Sequence, residues 1–174
     1  TGSVCRPVGG GEAVEAVGMN ELDMRDVVES AVDQVHIQAQ QRDITLRFEY
    51  DPDQEVWVLG NNELLERLVV NLLTNAVKYS HEGSSVDVTL YAQDNQVGCE
   101  VRDRGVGIPP EFQERLFDRF SRASTSGGAR TRGAGMGRRF VKVVTERHGG
   151  EVRVHSVVSE GSRFTLLLPR IELA

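Results

Sequence analysis

Asn71-Leu72-Leu73-Thr74-Asn75-Ala76-Val77-Lys78-Tyr79 is the stretch from which the rest of the chain can be read. Its apolar spacing extends back to Asn62 and predicts one amphipathic helix over 62–79. Leu65, Leu68, Val69, Leu72, Leu73, Ala76 and Val77 form a broad face that reads as core. Asn71 and Asn75 stand four residues apart and Lys78 three further on, so the three share one stripe, with Tyr79 at its edge. Asparagine is a weak helix former, and a half-buried amide without partners is costly. A solvated polar edge would account for any one of these residues. The trio together points to a hard cation and phosphates, with amide oxygens as metal ligands and an ammonium for negative charge.

Upstream of this helix, Asp23 is placed to cap a helix whose Val28, Val32, Val35 and Ala39 share a face. Ile44, Leu46, Phe48 and Tyr50 then alternate with polar residues as a strand does, Asp51-Pro52-Asp53 turns, and Val56–Leu59 is a short strand. Gly60 and Asn61 stop that strand and cap the central helix. Residues 1–20 hold five glycines and little periodicity, so they read as a flexible lead-in, leaving 21–174 as the domain. Downstream, Val86, Val88 and Leu90 alternate, Gln93–Gln96 is a hairpin turn, and Val97, Cys99 and Val101 alternate again. That period places Asp103 on the same face at the strand's end.

Asp103-Arg-Gly-Val-Gly-Ile-Pro109 follows, an acidic residue leaving a strand into a loop with glycines at alternate positions. Such glycines allow close backbone approach, and the carboxylate could accept a hydrogen bond from an exocyclic amine such as adenine's. A plain turn between strand and helix is the alternative. Residues 110–120 read as a short helix ending in Phe117-Asp-Arg-Phe-Ser-Arg122, and 123–137 as a long loop suited to covering a ligand, with Arg122, Arg130 or Arg132 available for phosphate. Gly133-Ala-Gly-Met-Gly137 opens a helix from about Arg138 to Arg147, a position where free backbone N–H groups attract anions. Gly149-Gly150 closes it, and strands over 151–156 and 162–169 end the chain.

The net charge of −6 argues against a nucleic-acid surface. No apolar run reaches the length of a membrane span and no signal peptide is apparent, so the expectation is a cytoplasmic domain without membrane contact of its own. Cys5 and Cys99 have no metal-ligand spacing and read as reduced thiols. The chain starts Thr-Gly-Ser without a methionine, as a piece of a longer protein would.

Taken in order, the boxes at Asn71–Tyr79, Asp103–Pro109, Phe117–Arg122 and Gly133–Gly137, with a closing Gly161-Ser-Arg-Phe-Thr165, resemble the catalytic ATP-binding domain of two-component sensor histidine kinases. That domain is akin to the ATPases of DNA gyrase, the ninety-kilodalton heat-shock chaperones and the MutL mismatch-repair proteins. The resemblance covers roughly Met19 to Arg170. It implies a two-layer α/β sandwich, a mixed, mostly antiparallel sheet with three main helices on one face and a flexible ATP lid. It implies Asn75 as principal Mg2+ ligand with Asn71 beside it, Lys78 on phosphate and Tyr79 lining the nucleotide. Asp103 would accept the adenine amino hydrogen, supported by Gly107 and, through water, by Thr165, with Gly105 and Ile108 in the same box. Arg122 would reach the terminal phosphate, and Gly133, Gly135, Met136 and Gly137 would wrap the phosphates. The expected catalytic set is Asn71, Lys78 and Arg122, with ATP and Mg2+ bound. The expected partners are a histidine-containing dimerisation domain, in cis or in trans, and a downstream response regulator.

Three departures qualify this. The phosphoacceptor histidine is missing: His81 precedes a glutamate but sits in a loop, His36 is a polar helix edge, His155 lies in a strand, and His148 reads as a favourable charge at a helix C-terminus. Arg138-Arg139 stand where the family has small or apolar residues, which raises a degenerate nucleotide-binding or docking module as the alternative. Asn61 replaces the usual aspartate, a mild change because both cap helices. Chaperone-type hydrolysis is disfavoured because Asn71 occupies the place of the water-activating glutamate. The Lys78-Tyr79 ending sets the chain apart from the serine kinases that act on sigma-factor antagonists.

Overall fold

A computed structural model of the chain describes residues 18–107 and 139–173. Asp23 caps the first helix, α1 (Met24–Gln41): its backbone is extended and its side chain accepts the Arg25 N–H. Met24, Val27, Val28, Ala31, Val35 and Ala39 are buried, a stripe at three- and four-residue steps, with Val32 at its half-buried margin. Asn61 caps α2 (Asn62–Tyr79) by accepting the Leu64 N–H at 3.0 Å. All seven apolar positions of its expected face are buried. Residues 139–147 form α3, which buries Val141 and Val144. It ends with Gly149 at φ +71°, the Gly149 N–H on Glu146 O and the Gly150 N–H on Thr145 O, a Schellman closure.

The strands are β1 (Met19–Asp23), β2 (Thr45–Tyr50), β3 (Trp57–Asn61), β4 (Ser85–Gln93), β5 (Gln96–Arg102), β6 (Glu151–Val157) and β7 (Gly161–Pro169). Five of them form one sheet in the order β2-β4-β5-β7-β6, with only β2 and β4 parallel. The inner face carries Val86, Val88, Leu90, Val97, Cys99, Val101, Leu166 and Leu168, all buried against the three helices in one core. Cys99 is a core thiol, and burial pushes its pKa up to about 12.

The mixed, mostly antiparallel sheet and its helices match expectation. The first strand does not: β1 pairs with β3 in a separate antiparallel ribbon that starts at Met19, inside the stretch expected to be lead-in. Met19-Asn20-Glu21-Leu22-Asp23 has too little alternation to announce itself, and its partner strand makes it. The expected short helix over 110–120 and the loop over 123–137 lie outside the described residues.

Candidate nucleotide-binding site

The β5 alternation carries Asp103 onto the inner face just past the strand's end, where it is only 5% exposed. Its N–H donates to Ser162 O at 2.8 Å, and its Oδ1 accepts from the Ser162 N–H and the Gly105 N–H, each at 3.1 Å. Burial raises the carboxyl pKa, opposed in turn by those two amides and by nearby His81. Oδ2 has no hydrogen bond among the described residues. The result is a carboxylate held by one oxygen and free at the other.

Glycines permit this placement by letting the chain approach itself. A Cβ at Gly105 would stand 1.9 Å from Tyr79 O, and Gly105 forms a β-bridge with Ser80 at the end of α2. Gly107, at φ +76°, would meet Val157 O at 2.3 Å, where the Ser159 N–H donates to Val106 O. The loop is also tied to β4, where the Arg104 guanidinium donates to Ser85 O, Ser85 Oγ and Asp87 Oδ2.

Thr165 is misplaced for the role the resemblance implied. It pairs with Glu100 and Arg153, one step out of phase with Phe164 and Leu166, so it lies on the outer face of the sheet, opposite Asp103. Ser162 sits beside Asp103 instead. Counting strand parity back from buried Leu166 and Leu168 would have found it.

The second part of the site is the polar stripe of α2. Asn71 and Asn75 are half-buried and Lys78 is exposed, whereas Leu72, Leu73, Ala76 and Val77 between them are buried. Asn71 donates only a long 3.5 Å bond to Arg67 O, and neither asparagine Oδ1 accepts a hydrogen bond among the described residues. The Lys78 ammonium lies 5.4 Å from the centroid of the Tyr79 ring. No cluster of three His, Cys, Asp or Glu side chains suited to a metal exists among the described residues. Two unpartnered amide oxygens fit Mg2+, which keeps several waters and takes few protein ligands. The two parts meet at the Ser80–Gly105 bridge, which sets Lys78 and Tyr79 next to the Asp103 loop.

Ile108, Arg122, Gly133, Gly135, Met136 and Gly137, with Arg130, Arg132 and Arg138, lie outside the described residues. Arg139 is exposed, and Phe140 is half-buried, its ring centroid 4.7 Å from the Arg67 guanidinium. His36, His81 and His155 are exposed. His148 is not the helix-terminal cation expected of it. It is buried, its Nδ1 donates to Val144 O at 2.7 Å, and its Nε2 accepts the Asn61 N–H at 3.1 Å. Burial lowers its pKa, so the ring serves as a neutral clasp between α3 and the start of α2. A surface hollow of about 700 Å3, lined by Phe48, Tyr50, Gln54, Leu90 and Tyr91, sits toward the Gln93 end of β4, away from Asp103.

Residues 60–172 match the family described as histidine kinase-, DNA gyrase B- and HSP90-like ATPase, and the chain belongs to it, as a catalytic domain of the histidine-kinase type. The sensor-like histidine kinase SenX3 of Mycobacterium tuberculosis H37Rv is 37% identical over 153 residues, 88% of this chain and 37% of that protein. A mycobacterial sensor histidine kinase, MprB, superposes at a TM-score of 0.74 with 31% identity, covering 88% of this chain and 99% of that one. Full-length ShkA in complex with AMPPNP superposes at 0.76 with 24% identity, over 90% of this chain and 32% of that one, a likeness of fold. The chain therefore spans 37% of the length of SenX3. Among the described residues, no helix is long and apolar enough to cross a membrane.

Proposed function

We propose that this domain binds Mg-ATP with the adenine amine on Asp103 Oδ2 and the phosphates along the α2 stripe, and donates the γ-phosphoryl group to a histidine on a separate dimerisation domain. The observation that carries the reading is Asp103, a buried carboxylate with one oxygen fixed by two backbone amides and the other free. Asn75 and Asn71 would hold Mg2+, which when bound neutralises phosphate charge. Lys78 adds a further positive charge from the same stripe, and Arg122 and the Gly133–Gly137 stretch belong to the proposal through the family's motif. In the transfer, the acceptor imidazole nitrogen forms a bond to the γ-phosphorus while the bond to the β,γ-bridging oxygen breaks and ADP leaves. The acceptor domain would be supplied in cis or in trans, and a response regulator would receive the phosphoryl group. That ShkA was solved with AMPPNP supports nucleotide binding by this fold.

A degenerate docking module rested on Arg138-Arg139. The described half of that pair gives it no support, since Arg139 faces solvent while Val141 and Val144 fill the core. Calorimetric titration with a non-hydrolysable ATP analogue, with and without Mg2+, tests the proposal. Magnesium-dependent binding that disappears in Asp103→Ala at unchanged fold is expected. Absence of binding by the wild type would return the docking module to the lead.

A further inference from the structure

We propose that Arg42 is a positioning residue for the nucleotide site, holding its adenine and phosphate parts in register; this rests on the nucleotide reading above. The last turn of α2 leaves backbone carbonyls without helical partners. The Ser80 N–H covers Ala76 O, and the two others with a described partner belong to one side chain from the far end of α1. Arg42 Nε donates to Val77 O at 3.0 Å, and its Nη2 donates to Ser80 O. These carbonyls flank Lys78 and Tyr79. Ser80 also bridges to Gly105, whose N–H is bound by Asp103 Oδ1. The bridge is carried by the His81 N–H, which donates to Arg104 O at 3.3 Å, so Arg42 fixes the carbonyl of the residue just before that donor, and the Asp103 carboxylate lies just beyond its acceptor. The Ser80 hydroxyl is buried without a partner among the described residues, so the backbone bonds are what locate this junction.

Arg42 is itself well anchored. Its N–H donates to Ala39 O, Asp43 follows at φ +58°, and the Ile44 N–H returns to Ala39 O with the Ile44 side chain buried. A planar guanidinium reaches two carbonyls at once from a fixed direction, whereas a lysine ammonium on a flexible stem holds neither geometry as well. Its positive charge also suits the negative end of the α2 dipole.

Were Arg42 only a helix cap, its loss would lower thermal stability and leave ligand preference alone. As a positioning residue it must alter how well one ligand spans both parts. The test compares adenosine, which needs only the Asp103 part, with a non-hydrolysable Mg-ATP analogue, using amide shifts in the wild type, R42K and R42Q at a temperature where each is folded. R42Q is expected to weaken the ATP analogue about tenfold, since a neutral amide can replace at most one of the two charge-assisted bonds, while adenosine changes less than about twofold, and R42K to fall between. The same ratio of affinities in R42Q as in the wild type would overturn the proposal, as would wild-type behaviour of R42K should R42Q fail to fold. If the wild type binds neither ligand, the nucleotide reading fails. Hydrogen exchange at Ser80 and Gly105 then decides whether Arg42 holds the junction: faster exchange in R42Q supports it and unaltered exchange overturns it.

Discussion

The two parts of the proposed nucleotide site, the Asp103 loop and the polar stripe of α2, are built in opposite ways. Asp103 is 5% exposed and bound through Oδ1 to amides from β7 and from its own loop. Asn71, Asn75 and Lys78 lie on one helical face, the two amide oxygens accepting no hydrogen bond among the described residues and Lys78 exposed beside the Tyr79 ring. The first arrangement recognises one fixed hydrogen-bond pattern, and buried polar groups left unpaired penalise anything else. The second suits a cation and flexible phosphates, whose geometry changes during transfer. On the proposed function, rigidity sits where the ligand is chosen and adaptability where it reacts.

The sharpest way to break this contrast is Asp103→Asn. The amide oxygen can keep both backbone donors while the free oxygen becomes an N–H donor facing the adenine amine. Nucleotide affinity should fall at least about a hundredfold, roughly 3 kcal/mol, measured by calorimetry. The melting temperature should not fall, because burial disfavours the charged form that is being removed. The pH dependence follows the same sign. Native Asp103 has its pKa raised, so it binds more protons than the unfolded chain above about pH 4. Its contribution to stability therefore declines as pH rises from there through the raised native value, and that decline should be missing in Asp103→Asn.

His148→Gln tests whether the helix bearing the phosphate stripe is as firmly anchored as Asp103 is. Losing the clasp on the Asn61 N–H should cost about 1–2 kcal/mol in denaturant unfolding at pH 8. The native pKa is lowered, so as pH falls below about 6.5 the unfolded chain takes up a proton that the native ring refuses. The stabilising contribution, complete above that pH, is lost toward the lowered native value. The gap between wild type and variant should narrow accordingly, and a gap constant from pH 8 to 5 would show that His148 does not titrate as a buried clasp.

Asn75→Ala should give the smallest change in stability. Its side chain makes no hydrogen bond among the described residues and alanine favours helix, so unfolding should be unchanged or slightly harder. Calorimetry should show about a tenfold loss in ATP-analogue affinity in Mg2+ and almost none without it. A similar loss in both conditions would remove Asn75 from the metal.

Much of this was legible from local pattern. The buried face of α2, the caps at Asp23 and Asn61, and the turn of Asp103 inward each follow from a period or a cap chemistry confined to a few neighbouring residues. What was not legible depends on partners far along the chain. Thr165 and Ser162 are three residues apart and both plausible by composition; pairing with β5 decides that only Ser162 stands beside Asp103. The glycines of the Asp103 loop looked fitted to a ligand, yet Gly105 and Gly107 admit Tyr79 and Val157 of the chain itself. His148 reads as a helix-terminal charge because nothing nearby in sequence shows that the Asn61 N–H will donate to its ring.

The amino-acid order by itself determined the three described helices, the five strands of the main sheet and the faces that go inward, because periodicity and capping act within a few residues. Only the tertiary structure decided the β1–β3 ribbon, the choice of Ser162, the neutral state of His148 and the reach of Arg42 across 38 residues to Ser80. Those depend on desolvation and on hydrogen bonds between distant backbones, and neither exists until the sheet and helices have packed.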